Sequence, residues 1–272
     1  MKVVTLNVNG LRSSQKKGLY QWLEEESADF VCLQEVRLNN SVNQKEFELA
    51  GYTCHFSVAE KNGYSGVAIF SKAVPLKVIT SFDFDFLNGE ARYLEYVFES
   101  FRIASIYMPS GSSSELAQEK KMSFLYFFKK QAEGVCRESL PILYCGDFNM
   151  AHKTVDIKNW RANQKKPGFT LEERAWLDYF FDDLRFVDVF RSLNSSSDQF
   201  TWWSNRANAY QNNVGWRIDY QVASPDFPAK PREVSIYKGR RFSDHAPLIV
   251  TYDASAEYAQ NPDDSAFCAK RF

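Results

Sequence analysis

Short apolar runs recur along the chain with the length and residue types of buried β-strands. They cover residues 3–8, 30–33, 66–70, 93–98, 103–108, 142–145, 217–222 and 248–252. Three other stretches, 17–26, 115–134 and 170–181, carry apolar residues at helical spacing. The last of these opens with Thr170-Leu171-Glu172-Glu173, a capping-box pattern that predicts a helix start. Because strands and helices interleave while 66–108 holds strands alone, we expect a mixed α/β (α+β) fold of packed layers.

Polar side chains follow many of these runs at the point where the strand ends. The most informative motif is Gly146-Asp147-Phe148-Asn149, directly after the apolar run 140–145. In an extended strand Asp147 and Asn149 would share a face and could address one substrate, and Gly146 permits close approach of another group. The competing interpretation is an Asx-type turn, since Gly, Asp and Asn are common turn formers.

Five further strand ends present comparable groups. They are Asn7-Val8-Asn9-Gly10-Leu11-Arg12, Leu33-Gln34-Glu35, Tyr107-Met108-Pro109, Trp216-Arg217-Ile218-Asp219 and Phe242-Ser243-Asp244-His245. Taken singly, each has an ordinary explanation in turn, loop or core chemistry. Six such strand ends in one chain indicate a common site.

The residue types at these ends narrow the chemistry. Acids and amides such as Glu35, Asp244, Asn7 and Asn149 are hard oxygen ligands, which suit Mg²⁺ or Mn²⁺. The chain has only three His and lacks both GxSxG and a Walker-type loop, which argues against a His-based zinc hydrolase, an α/β-hydrolase and a P-loop NTPase. We therefore expect metal-assisted hydrolysis of a phosphate ester. Asp219 could orient His245 by a hydrogen bond, as in catalytic triads.

Composition adds limits on partners and location. The formal net charge of −1 gives no general attraction to nucleic acid, so positive charge at a polyanion must be local or come from a metal. The five scattered cysteines, without CxxC, predict free thiols in a reducing cytoplasm, and no apolar run is long enough to span a membrane. We expect one domain over 1–252 and a mobile tail over 253–272, which is rich in Ala, Ser and Asp.

Taken in order, these motifs resemble the exonuclease III and apurinic/apyrimidinic endonuclease family over residues 1–252. The resemblance implies the DNase I-like endonuclease/exonuclease/phosphatase fold, a four-layer α/β/β/α sandwich with the site at one edge of the sheets. It also implies a Mg²⁺-dependent DNA-repair nuclease, for which Mn²⁺ could substitute. The expected substrate is double-stranded DNA, cut 5′ to abasic sites or trimmed at 3′ ends, and the expected state is a monomer.

The same resemblance implies roles for individual side chains. The metal ligands would be Glu35, Asn7 and Asp244. The groups that handle water and bind the scissile phosphate would be Asp147, Asn149, His245, Asp219 and Tyr107. The substrate contacts, an aromatic pocket for an extrahelical abasic sugar and loop groups near the DNA backbone, would be Trp202, Trp203, Trp216, Arg12 and Asn163.

Several segments look especially like another branch of this fold, the catabolite repression control proteins. Those segments are 155–160, 173–178, 199–203 and 215–222. That branch regulates translation with an RNA-chaperone partner, and its catalytic residues are typically degraded. Because the acids, amides and His named above are all in place here, we favour a nuclease. An RNA-binding regulator is the alternative, and a DNase I-like phosphatase acting on lipids or nucleotides is a third hypothesis. One departure from the nuclease pattern is Ser110, where many members carry an amide-bearing residue.

Overall fold

Fourteen strands in a computed structural model, which describes residues 1–81 and 89–253, form two large sheets and one small one. The strands are β1 Lys2–Asn7, β2 Phe30–Gln34, β3 Thr53–Ser57, β4 Val67–Ser71, β5 Lys77–Ile79, β6 Tyr93–Val97, β7 Arg102–Tyr107, β8 Ile142–Asp147, β9 Val187–Asp188, β10 Trp202–Trp203, β11 Gly215–Trp216, β12 Asp219–Ala223, β13 Pro231–Ile236 and β14 Leu248–Tyr252.

The two large sheets have six strands each, in the orders β13-β14-β1-β2-β4-β3 and β5-β6-β7-β8-β12-β9. Strand β1 runs parallel to β2 and antiparallel to β14, while β8 runs parallel to β7 and antiparallel to β12. In the first sheet, the carboxyl ends of β1 and β2 therefore lie at the same end as the beginning of β14. In the second sheet, the carboxyl ends of β7 and β8 lie at the same end as the beginning of β12. The register places Asp219 directly opposite Asp147.

Helices pack around the two large sheets in the described ranges. They are α1 Leu11–Lys16, α2 Leu19–Glu26, α3 Glu115–Val135, α4 Trp160–Asn163, α5 Leu171–Asp178 and α6 Val189–Leu193. A π-helical turn, Tyr179–Asp183, extends α5, and short 3₁₀ turns occupy Gln44–Phe47 and Thr154–Asp156. Helices α1 and α2 pack on the first sheet, and α3 and α5 on the second. A separate cluster of apolar side chains, which includes Cys32, Ile103 and Cys145, fills the space between the two large sheets.

These layers confirm the predicted α/β/β/α sandwich. Each of the eight predicted strands is present, with its ends shifted by no more than two residues. The hydroxyl of Thr170 accepts a hydrogen bond from the Glu173 backbone, so the predicted capping box does begin α5. The pattern missed six strands. Three of them, β3, β5 and β13, lie at sheet edges with partly exposed faces and therefore lack a continuous apolar run. The other three, β9, β10 and β11, have only two residues each.

The described ranges hold no helix both long and apolar enough to cross a membrane. Of the predicted tail 253–272, only Asp253 is described, and its backbone N–H donates to the carbonyl of Lys230. The rest of that prediction lies outside the described residues.

A buried ionic cluster fastens the loops beside β12 to the second sheet. The Arg217 guanidinium is fully buried and contacts Asp156 at 2.8 Å and Asp188 at 2.6 Å. Arg191 adds a second cation at 2.7 Å from Asp156. Burial opposes the charge of Asp156, but these two guanidinium groups prevail and lower its pKa to about 2.

Acid should weaken this cluster. The Asp156 pKa is lower in the folded than in the unfolded chain, so its stabilisation is present above about pH 4 and is lost as pH falls through about 2. We expect Asp156→Asn to cost about 3–5 kcal/mol at neutral pH, since Arg217 and Arg191 lose the buried carboxylate that they share. The difference from wild type should shrink by about 2 kcal/mol over that acid range.

Urea unfolding at several pH values measures this effect, with the exposed Asp226→Asn as a matched control. A wild-type-to-variant difference that does not change with pH would contradict the assignment of the charge to Asp156.

Candidate active site

The common edge of the two sheets opens into a cavity of about 980 Å³. Most of the predicted site residues line it, namely Glu35, Tyr107, Asp147, Asn149, Asn163, Trp202, Trp216, Asp244 and His245. Asn7 and Asp219 lie behind this lining and hydrogen-bond to it. The strand ends that the sequence singled out therefore meet in one cleft.

The motif after β8 is both a turn and part of the cleft. Asn149 has a left-handed backbone with φ of 53°, and its N–H donates to Asp147 Oδ1 at 2.8 Å. The motif is therefore both an Asx turn and part of the site. The turn, and not the side-chain alternation of an extended strand, brings Asp147 and Asn149 to the same side. Gly146 is required by its neighbour, since a Cβ there would lie 1.8 Å from the carbonyl oxygen of Ile106.

Asn7 joins the two sheets through its carboxamide. Its Nδ2 donates to Glu35 Oε1 and to Asp147 Oδ2, each at 2.9 Å. Its Oδ1 accepts from the backbone N–H of Asn9 at 3.0 Å, and Asn9 Nδ2 donates to Asp244 Oδ1 at 2.8 Å. Two amides thereby connect the three acids of the cleft in one network.

A histidine and two carboxylates form the centre of the cleft. His245 Nδ1 lies 2.8 Å from Asp219 Oδ2, as predicted, and its Nε2 lies 3.9 Å from Asp147 Oδ2. Burial opposes the charge of His245, but Asp219 and the neighbouring acids raise its pKa to about 10. Burial and repulsion from Asp219 raise the pKa of Asp147 to about 7. His245 is therefore cationic near neutral pH, beside an acid that exchanges its proton there.

Glu35 and Asp244 are the anionic oxygen donors of the cleft. Burial opposes the charge of Glu35, yet Asn7, Tyr107 and Arg37 hold its pKa below the usual value. The pKa of Asp244 is likewise lowered, despite burial, by His245 and by hydrogen bonds from nearby side chains. Two ionised carboxylates with amides around them fit a hard divalent cation.

A second group could also hold a metal, since ligand atoms of Asp147, Asp219 and His245 lie within 4.8 Å of one another. Within this group, His245 Nδ1 and Asp219 Oδ2 are already paired with each other at 2.8 Å. This trio instead fits an anion-binding and proton-handling role. The cleft as a whole contains groups able to bind a metal ion.

The floor of the cavity is aromatic. Trp202 and Trp216 meet edge to face, with ring centroids 6.1 Å apart, above the buried residues Ile157, Phe169 and Ile218. The indole Nε1 of Trp202 also donates to Asp244 Oδ2 at 3.2 Å. The floor and the acid are thus in direct contact.

Three predicted substrate contacts have different settings. Trp203 is 1% exposed and donates to Asn213 Oδ1, because successive residues of β10 face opposite sides and only Trp202 faces the cavity. Arg12 is exposed on α1, over the ring of Phe47, and does not line the cavity. Asn163 does line it, with its amide donating to backbone carbonyls.

Two residues support the cleft through contacts that the sequence pattern does not reveal. Asn9 follows Asn7 in a motif that was noticed, yet its link to Asp244 spans 235 residues of chain. Arg92 stacks 4.6 Å from the Tyr107 ring centroid and donates to Glu90 and to the Tyr64 hydroxyl. Nothing in its sequence surroundings marks Arg92, since its contacts come from three separate segments.

Comparison with known proteins agrees with this architecture. The endonuclease/exonuclease/phosphatase family matches residues 4–245. An exodeoxyribonuclease of Bacillus subtilis (strain 168) is 34% identical over 253 residues, which cover 91% of this chain and 98% of the relative. A DNA-(apurinic or apyrimidinic site) endonuclease of Dictyostelium discoideum is 31% identical over 264 residues, covering 93% and 71%.

A solved structure has the same fold. An AP endonuclease from Archaeoglobus fulgidus superposes with a TM-score of 0.81 at 25% identity, over 93% of this chain and 100% of that one. Fold, sequence and cleft therefore agree that the chain belongs to the endonuclease/exonuclease/phosphatase family, in the group that contains exodeoxyribonucleases and apurinic/apyrimidinic-site endonucleases.

Proposed function

We propose that this protein is a Mg²⁺-dependent DNA-repair nuclease that hydrolyses phosphodiester bonds 5′ to abasic sites and trims DNA 3′ ends. The observation that carries the proposal is the convergence of the hydrogen-bonded pair His245–Asp219 with Asp147, Glu35 and Asp244 at one cleft. The names of the relatives support the same reaction class.

His245 and Asp147 divide the phosphate and proton work. The cationic His245, fixed by Asp219, binds the scissile phosphate and stabilises the charge that develops on it. Asp147 orients the attacking water or moves its proton, and a pKa of about 7 suits that task at neutral pH. Asn7 and Asn149 hold the Asp147 carboxylate, and Tyr107 contributes a further phosphate contact.

Glu35, Asp244 and Asn7 would hold the metal. Asn7 would offer its Oδ1, while its Nδ2 orients the Glu35 carboxylate by donating to it. Bound Mg²⁺, or Mn²⁺ in its place, would neutralise phosphate oxygens as a Lewis acid.

DNA recognition would combine the aromatic floor with local positive charge. Trp202 and Trp216 offer an apolar surface to an extrahelical abasic sugar, which has no base to unstack. Lys158, Lys166 and Arg206 line the same cavity and provide cations for the backbone of double-stranded DNA. This local charge would compensate for a net charge of −1.

We further propose that the protein acts as a monomer in the cytoplasm. The four described cysteines, Cys32, Cys54, Cys136 and Cys145, are free thiols, which fits a reducing compartment.

Single substitutions test the reaction. Asp147→Asn and Glu35→Gln should each reduce incision of a duplex carrying an abasic-site analogue by roughly 10²–10⁴-fold, because each removes a charge from the reacting region. The assay compares cleavage with and without Mg²⁺. Exposed acids changed in the same way, Asp182→Asn and Glu99→Gln, should leave cleavage unchanged.

Absence of incision by the wild type at high protein concentration would overturn the nuclease proposal. RNA binding by that inactive wild type, alone or with an RNA chaperone, would favour the catabolite repression control-type regulator. Incision by the wild type that neither site variant reduces would contradict the roles assigned to Asp147 and Glu35.

The His245–Asp219 contact should set the alkaline limit of activity. Asp219 holds the pKa of His245 at about 10, so the imidazolium persists as pH rises through neutrality. In Asp219→Asn that pKa should fall toward its ordinary value of about 6.5, so activity should decline above that pH.

The His245 pKa can be followed directly by NMR, alongside pH–rate profiles. A matched control is Asp178→Asn, which breaks a similar contact of 2.7 Å with His152 away from the cleft. An alkaline limit that is the same in wild type and Asp219→Asn would refute the assigned role of the His245 charge.

A further inference from the structure

An ion pair lies fully buried behind the cleft, between helices α3 and α5. Lys121 Nζ and Glu173 Oε1 are 2.6 Å apart, and both side chains are 0% exposed. Burial lowers the pKa of Lys121, and Glu173 opposes the change. Burying two charged groups costs desolvation free energy. The backbone groups that this pair binds therefore indicate its role.

Lys121 reaches the turn that carries the catalytic motif. Its Nζ donates to the backbone carbonyl of Asn149 at 2.8 Å. That carbonyl belongs to the left-handed residue whose N–H binds Asp147 Oδ1 and whose Nδ2 lies 3.3 Å from Asp147 Oδ2. A carbonyl turned out of regular structure and shielded from solvent needs a donor from elsewhere in the protein, and the fully buried Lys121 supplies it.

Glu173 fixes the neighbouring loop. Its two oxygens accept from the Gly168 N–H at 2.7 and 2.9 Å, and one of them accepts from the backbone and hydroxyl of Thr170. The Gly168 carbonyl in turn accepts from the N–H of Ala151 at 2.8 Å. The pair thereby clamps the segment 149–151 from two sides.

Helix capping alone does not account for this arrangement. The capping box at the start of α5 needs only Thr170 and Glu173, and it would form without a cation. Lys121 comes from another helix. Its contact with the cleft is the hydrogen bond to the backbone carbonyl of Asn149. The side chain thus has a target beyond the cap.

We propose that Lys121, paired with Glu173, is a positioning residue that fixes the Asn149 turn and through it the Asp147 carboxylate for hydrolysis. The inference rests on the nuclease function proposed above. Lys121 does not line the cavity, so it acts through Asn149 and not on the substrate.

Two variants separate positioning from mere stability. Lys121→Met removes the donor but leaves Glu173 buried without its cation, so it should lower the melting temperature. The double variant Lys121→Met with Glu173→Gln has no unpaired charge, and the new carboxamide keeps an oxygen for Gly168 and Thr170, so stability should largely return. Lys130→Met, on the exposed face of the same helix, is the matched control.

The expected result is a kinetic defect that stability does not repair. In both site variants kcat on the abasic duplex should fall by about 10–100-fold with little change in KM, because a displacement of about 1 Å in a reacting group has this effect. Recovery of wild-type kcat in the double variant would overturn the proposal and leave the pair a structural one.

A readout independent of activity keeps this inference distinct from the nuclease proposal. Hydrogen exchange of the Asn149 and Ala151 amides should quicken about tenfold or more in both site variants and not in Lys130→Met. Unchanged exchange would overturn the positioning role even if the wild type cleaves DNA. Faster exchange with a wild type that does not cleave would instead reject the nuclease function and retain the clamp on the turn.

Discussion

The Asp147 carboxylate, 1% exposed at the junction of two sheets, is the constraint on which the rest of the cleft depends. A buried carboxyl that must ionise near neutral pH needs donors from several directions. It receives them from Asn7 of the first sheet, Asn149 of its own turn and, more distantly, the imidazolium of His245. Because these partners come from both sheets, the geometry of the cleft is as exact as the packing of one sheet on the other.

The position of the cleft at the ends of buried strands explains which of its residues the sequence predicts. A strand buried on both faces leaves an unbroken apolar run, and a polar residue where the run stops must lie at a sheet edge. Asn7, Glu35, Tyr107 and Asp147 were found in this way. The pairing of β8 with β12 could not be read, and it is this register that sets Asp219 beside Asp147.

Other features depended on contacts that no local pattern encodes. Arg92, just before β6, and Lys121, in α3, each look like ordinary charged residues, yet both are buried beneath site residues. Trp203 is the converse case, a residue that the sequence assigns to the site and the structure buries. Two adjacent tryptophans are equivalent by sequence, and only the orientation of β10 decides which one faces the cavity. Sequence thus predicted the fold and the members of the cleft better than it predicted their supports.

The hydrogen bond from the Trp202 indole to Asp244 makes one side chain belong to two parts of the cleft. A phenylalanine would preserve the apolar floor and still release an oxygen of Asp244 from its donor. Aromatic residues are therefore not chemically equivalent at this position. A substitution that changes the shape of the aromatic floor at Trp202 also removes a hydrogen bond from Asp244. Substrate specificity and the chemistry of the acid therefore change together.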